Sequence, residues 1–167
     1  MRPQTASASF ARPANTTQYA VGDLVANNAT AGSVAALNFP QGPIIVRRVR
    51  VTKDDDDVTA ATFRVHFFKG NPVSSAPANG DNGAISLNTD INEYLGSYDV
   101  DMTSAPDIYN TAGNVGVGVP LNGSELIVPQ YRTAAGSETG TYALIEARAT
   151  YTPASGETFT VEIEYLV

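Results

Sequence analysis

The chain contains no cysteine, no tryptophan and a single histidine, and only 16% of its residues are charged. Without cysteine there is neither a disulfide framework nor a thiolate metal site. His66 alone leaves a transition-metal site short of ligands. It also leaves a hydrolytic triad without a partner, because no Gly-x-Ser-x-Gly elbow supplies a nucleophile. His66 alternates with phenylalanines in a strand pattern and reads as a surface or rim residue. No phosphate-cradling loop is present: Gly116-Val-Gly118 lacks a third glycine and a helix to follow it. The longest aliphatic run, Ile44 to Val46, is far short of a membrane span. No apolar run follows Met1-Arg2-Pro3-Gln4, so no secretory leader is expected and synthesis is placed in the cytoplasm. A net charge of −7 argues against general attraction to nucleic acid or to an anionic membrane.

What fills the space is Ala, Thr, Ser, Asn, Gly and Val, the mix of a β protein rich in turns. At 167 residues the chain makes one domain with an arm. A chain of this size buries about 70% of its unfolded surface, enough for one sizeable core. The strongest pattern lies in Thr141 to Val167. Phe159, Val161, Ile163, Tyr165 and Val167 alternate with polar residues, and Ala143, Ile145, Ala147, Ala149 and Tyr151 do the same before them. Period two gives each strand one buried face. With Pro153 and Gly156 between them, the two runs predict an antiparallel hairpin. Its loop has five residues (Ala149 against Phe159) or seven (Arg148 beside Glu162), and both registers stay open.

Upstream, residues 1–18 are small, polar and Pro-containing, and read either as a disordered tail or as an extended N-terminal arm that orders on a neighbouring subunit. Residues 19–167 form the domain. Tyr19 to Val25 reads as a turn at Gly22-Asp23 entering a short strand. Val34 to Phe39 is closed by Pro40-Gln-Gly-Pro43, which no helix crosses. Ile44 to Lys53 is a long strand with Ile45, Val49 and Val51 on one face, and Val46, Arg48 and Arg50 on the other. Arg47 breaks the alternation, which predicts a bulge. Asp54 to Asp57 is a solvated inter-strand loop, because four consecutive aspartates do not match the alternate-residue ligand spacing of a calcium loop. Val58 to Lys69 turns Phe63, Val65 and Phe67 inward and Arg64 and His66 outward. Asn71 to Gly83 is a surface loop, and Thr89 to Glu93 a single helical turn. Tyr94 to Met102 carries Tyr98, Val100 and Met102 on one side. Gly113 to Pro120 is an edge strand or a loop laid on the body, and Glu125 to Val128 a short strand stopped by Pro129. Seven or eight strands with almost no helix predict an all-β, antiparallel β-sandwich of the jelly-roll kind.

The residues that could meet a partner are Phe10, Arg12 and Pro13, the bulky features of the arm, and the basic cluster Arg47, Arg48 and Arg50, suited to an acidic partner. Glu146, Glu162 and Glu164 would lie near one another in the predicted hairpin. They alternate with its core face, so a solvated sheet surface is expected of them rather than sugar hydrolysis. No catalytic residue, cofactor or metal site is expected, and no enzymatic activity. A second reading is a glycan-binding module, motivated by the jelly-roll pattern and eight tyrosines.

Two longer stretches go beyond architecture: Arg12-Pro-Ala-Asn-Thr-Thr-Gln-Tyr-Ala-Val-Gly-Asp-Leu-Val25 and Glu146-Ala-Arg-Ala-Thr-Tyr-Thr-Pro-Ala-Ser-Gly-Glu-Thr-Phe159. With Asn79-Gly-Asp-Asn-Gly83 and Tyr94-Leu-Gly-Ser97, they resemble a family of small structural proteins of tailed bacteriophages and prophages. The resemblance implies a virion component made in the host cytoplasm, a capsid decoration or cement protein whose partner is the major capsid protein. It supplies no catalytic residues. Such a part acts through contact area and multivalency, with interfaces of about 800 Å² per partner. Symmetric association as a dimer or trimer is then expected.

Overall fold

Alternation of buried and more exposed residues runs through Ile44–Lys53, Thr62–Phe68 and Thr158–Leu166 in the computed structural model, which describes residues 2–40, 42–72, 80–86, 93–104, 114–120, 125–129 and 140–167. The strands are β1 (Pro3–Ala11), β2 (Leu24–Val25), β3 (Leu37–Phe39), β4 (Ile44–Lys53), β5 (Thr62–Phe68), β6 (Tyr94–Asp101), β7 (Asn114–Pro120), β8 (Leu126–Val128), β9 (Thr141–Ala147) and β10 (Thr158–Leu166). One 3-10 turn, Ala31–Ser33, lies among the described residues, and Glu93 is also 3-10. The expected helical turn at Thr89 falls largely outside the described residues, as does most of the expected surface loop 71–83.

Two antiparallel sheets face each other across one core. The first has the order β1-β10-β4-β7, with β8 continuing along β4 beyond β7; the second has β6-β5-β9-β2, with β3 also on β9. They meet at one corner, where β7 changes partner. Asn114 to Gly118 pair with β4, and Val119 and Pro120 pair with β6. The glycines of β7 make that corner possible. A Cβ on Gly116 would stand 2.6 Å from Val100 Cγ1 and from Met102 Cγ, closer than real contacts allow. The Gly-Val alternation is thus an edge strand whose inner face must be empty.

The core joins Val49 and Val51 of β4, Phe63, Val65 and Phe67 of β5, Tyr98 and Val100 of β6, Ile145 of β9, and Phe159, Val161 and Ile163 of β10. Phe63 meets Phe159 edge-on across the sandwich, with centroids 5.3 Å apart. Edge-to-face pairs of this kind add about 0.5–1.5 kcal/mol beyond their burial.

The predicted hairpin does not form. β9 lies in the second sheet between β5 and the short strands β2 and β3, whereas β10 lies in the first between β1 and β4. Alternation specifies that a strand has one dry face. Two strands side by side and two strands face to face satisfy that condition equally. The connection 148–157 crosses from sheet to sheet, so neither loop register applies.

The bulge at Arg47 is present. β10 pairs Glu164 with Arg48 but Tyr165 with Val46, skipping Arg47. This flips the first half of β4 relative to the second. Ile44 and Val46 therefore point inward and Ile45 outward, which corrects the expected face of Ile45 and Val46.

Candidate interaction surface

The outer face of the first sheet brings together the residues that the sequence singles out and several that it does not. Arg48, Arg50 and Thr52 from β4 stand beside Glu164, Glu162 and Thr160 from β10. Arg50 lies 3.1 Å from Glu162, Arg48 lies 3.8 Å from Glu164, and Arg47 lies 2.7 Å from Glu125 just before β8. The basic cluster is exposed, as expected, but each arginine faces a carboxylate of its own chain. The net field offered to an acidic partner is accordingly small.

Beyond Arg47, towards the start of β4, the same face turns apolar. Ile45 sits between Ile127 on β8 and Leu166 on β10. With Pro43, Pro129 and Val167 these residues line a shallow depression of about 280 Å³. Ile127 is 68% exposed and Val167 53%. The alternation of β10 predicts Val167 as buried; it lies past the strand end and instead lines this patch. The sequence signal for Ile127 was its place between Leu126 and Val128, since one of three consecutive apolar residues in a strand must face outward.

Phe10 is half-buried on β1, with its ring stacked on Phe159 at 6.0 Å. Pro13 is half-buried, and its carbonyl accepts from the amides of Asn15 and Gly156. Residues 3–11 of the expected arm are extended, but they pair along their whole length with β10 of the same chain. Arg12 is no surface contact at all: it is 3% exposed. Its Nη2 lies 3.1 Å from Asp81 Oδ2, its Nε donates to Tyr19 Oη at 2.7 Å, and its Nη1 donates to the Asn15 carbonyl at 2.7 Å. Tyr19 Oη in turn donates to Asp81 Oδ1, which also accepts the Ala26 amide.

A parallel arrangement lies alongside. Lys53 Nζ is 3.2 Å from Glu157 Oε1, and Tyr151 Oη donates to the same oxygen at 2.6 Å. The rings of Tyr19 and Tyr151 are nearly parallel, 6.5 Å apart. Burial, reinforced by the neighbouring carboxylates, pushes both phenols well above their ordinary values. Burial also lifts Glu157, although Tyr151 and Lys53 pull it down. Sequence reading missed this double cluster because Arg12 and Asp81 are 69 residues apart. No local spacing joins them.

The other outer face is different. His66 Nε2 lies 2.8 Å from Glu146 Oε2, and Arg148 Nη1 donates to Glu146 Oε1 at 2.8 Å. Burial opposes ionisation of Glu146, but His66 and Arg148 outweigh it and hold the carboxyl below its usual range. Arg64 grips Asp99 with two hydrogen bonds, of 2.6 and 2.9 Å, and lowers that carboxyl too. Glu146 is thus on the opposite side of the molecule from Glu162 and Glu164, and the carboxylates expected near one another are apart. Next to this network, Leu24, Ala26, Val34, Phe68 and Leu144 form a second apolar cluster.

The Asp54 to Asp57 loop uses its carboxylates locally: Asp54 accepts the Thr158 amide, and Asp57 the Thr59 amide. Among the described residues no group of acidic or histidine side chains is placed to hold a metal ion. Tyr19, Tyr98, Tyr151 and Tyr165 are buried, while Tyr94 is partly exposed. Tyr109 and Tyr131 lie outside the described residues.

Fold and surface together define a class: an all-β sandwich carrying a charge-neutral outer platform with an apolar end. No family model, curated protein or solved structure matches the chain.

Proposed function

We propose that this protein is a virion component that binds and stabilises a capsid shell, a decoration or cement protein whose partner is the major capsid protein. The observation that carries the reading is the outer platform of the first sheet. Its apolar depression around Ile45, Ile127, Leu166 and Val167 is bordered by the ion pairs of Arg47 and Arg48. A dry centre with a polar, already neutralised rim is the layout of a protein–protein interface. The resemblance of the 12–25 and 146–159 stretches to phage structural proteins names the kind of partner. The strand order supports a finer reading of the sandwich as a jelly roll, with β2 and β3 together forming one interrupted strand. The glycan reading draws little support from the six described tyrosines, of which Tyr19, Tyr98, Tyr151 and Tyr165 are buried.

The test is direct. Purified protein mixed with matching capsids is expected to co-sediment with them and to raise their resistance to heat. Ile127→Glu is expected to abolish co-sedimentation while leaving the melting temperature of the free protein unchanged. Failure to bind capsids, together with absence from virions at a stoichiometric copy number, overturns the proposal.

A further inference from the structure

Sheet edges invite other chains, and folded proteins blunt them with shortness, charge, proline or bulges. Most edges here are managed in that way. β2, β3 and β8 have two or three residues, β7 ends in proline, and β6 carries Asp99 and Asp101. β1 is the exception. It runs nine residues, Pro3–Ala11, in unbroken register with β10, and no charged residue lies between Arg2 and Arg12.

The direction of its free groups follows from the ladder. The amide of Arg2 donates to the Val167 carbonyl, and that of Arg12 to the Glu157 carbonyl. In an antiparallel pair, residues that exchange hydrogen bonds alternate with residues that do not. Gln4, Ala6, Ala8 and Phe10 therefore bond to β10. Thr5, Ser7, Ser9 and Ala11 point their N–H and C=O away from it, and Pro3 does so with its C=O. No backbone partner for these groups exists among the described residues; β3 runs close to β1 but shares no ladder with it. All five residues are exposed.

We propose that the free edge of β1 is a homodimer interface, in which β1 pairs antiparallel with β1 of a second copy about a two-fold axis at Ser7. The strand is self-complementary in this register. Ser7 faces Ser7, Thr5 faces Ser9 and Pro3 faces Ala11, so every outward N–H meets an outward C=O. Proline falls where it need only accept, and the facing side chains are small and uncharged. A two-fold interface requires such self-matching. The result is a sheet continuous through two molecules, β4-β10-β1-β1-β10-β4, with both outer platforms on one surface. A partner supplying an unrelated strand would need none of this internal symmetry. Dimerisation through β1 is independent of what the platform binds.

Sedimentation velocity over a range of concentrations should show a dimer for the native chain. Ser7→Pro removes an outward N–H without touching the β10 ladder, and edge strands tolerate proline there. It is expected to raise the dimer dissociation constant at least about tenfold with the fold intact by circular dichroism. Ser7→Thr should remain dimeric. Because the chain lacks cysteine, Ser7→Cys offers a second readout should Ser7→Pro unfold. Facing residues of a bonded pair stand about 5.5 Å apart at Cα, within disulfide range. Oxidised Ser7→Cys should cross-link to a dimer, and exposed Val117→Cys should not. Thr5→Cys should cross-link efficiently only when mixed with Ser9→Cys. A native chain that stays monomeric, a dimer that Ser7→Pro leaves intact, or a dimer in which Ser7→Cys fails to cross-link each overturns the proposal. A monomer that instead binds an added extended peptide overturns it too, in favour of a foreign strand.

Discussion

Two sets of ion pairs in this molecule use the same side chains in opposite media. At one end of the sandwich, Arg12–Asp81 and Lys53–Glu157 have side chains that are at most 1% exposed. On the outer platform, Arg48–Glu164 and Arg50–Glu162 are 33–54% exposed. Removing both partners of a buried pair is tolerated; removing one strands a charge in a low-dielectric interior. Exposed pairs are screened by water and salt, and each adds little. The contrast separates residues that hold the fold from residues that dress its surface, although all eight were arginine, lysine or carboxylate in the sequence.

The largest effect should come from breaking the buried set on one side. Asp81→Ala leaves Arg12, Tyr19 and the Ala26 amide without their acceptor, and should lower stability by about 3–5 kcal/mol. For a domain of this size that is a fall of about 6–20 °C in melting temperature, measurable by calorimetry. The double change Arg12→Met with Asp81→Leu should recover part of the loss, because no charge is stranded. Recovery stays incomplete, since the Tyr19 hydroxyl and the Ala26 amide still lack a partner. Lys53→Ala should follow closely behind, and Lys53→Met should be milder because it keeps the packing over the Tyr151 ring.

The same contrast explains what the sequence disclosed. The dry faces of β5, β6 and β10, the bulge at Arg47 and the sandwich were legible, because period-two alternation reports burial residue by residue. The neighbours of β9 and β10 were not, because alternation is blind to whether the partner lies beside a strand or across the core. Arg47, Arg48 and Arg50 could be seen to be exposed, but their carboxylates sit on other strands, and so a basic patch was expected where a neutral one stands. Arg12 looked like an arm residue because Asp81 lies a long way down the chain. The stretches 12–25, 80–83 and 146–159 meet at this one end: Arg12 on Asp81, Tyr19 on Tyr151, and the Tyr19 amide on the Tyr151 carbonyl. Gly80 belongs to the same lock, because a Cβ there would stand 2.0 Å from the Ala29 carbonyl oxygen.

A smaller effect, of known sign, should appear on acidification. Glu146 is held below the ordinary carboxylate range by His66 and Arg148, and Asp99 by Arg64. A carboxyl whose folded value is depressed binds its proton more readily when unfolded. The stability it contributes is complete above the unfolded value, near pH 4, and is lost as the pH falls through the folded one. Glu157 runs the other way: burial raises it, so its contribution is complete below the unfolded value and declines as the pH rises towards the folded one. Urea unfolding at pH 6 and pH 3 should show a drop that Glu146→Gln reduces. An undiminished drop would place the acid sensitivity elsewhere.

The smallest effect tests the exposed set. Arg50→Ala, Glu162→Ala and the double variant form a cycle whose coupling should fall between about 0.2 and 1 kcal/mol. It should shrink further in 0.5 M salt, where screening acts over about 4 Å. A coupling of the size expected for Arg12 and Asp81 would mean that the platform is not solvated in solution and that another surface covers it. Repeating the cycle on capsid-bound protein then discriminates: pairs at the rim of an occupied interface lose water, and their coupling should rise only where the shell covers Arg50.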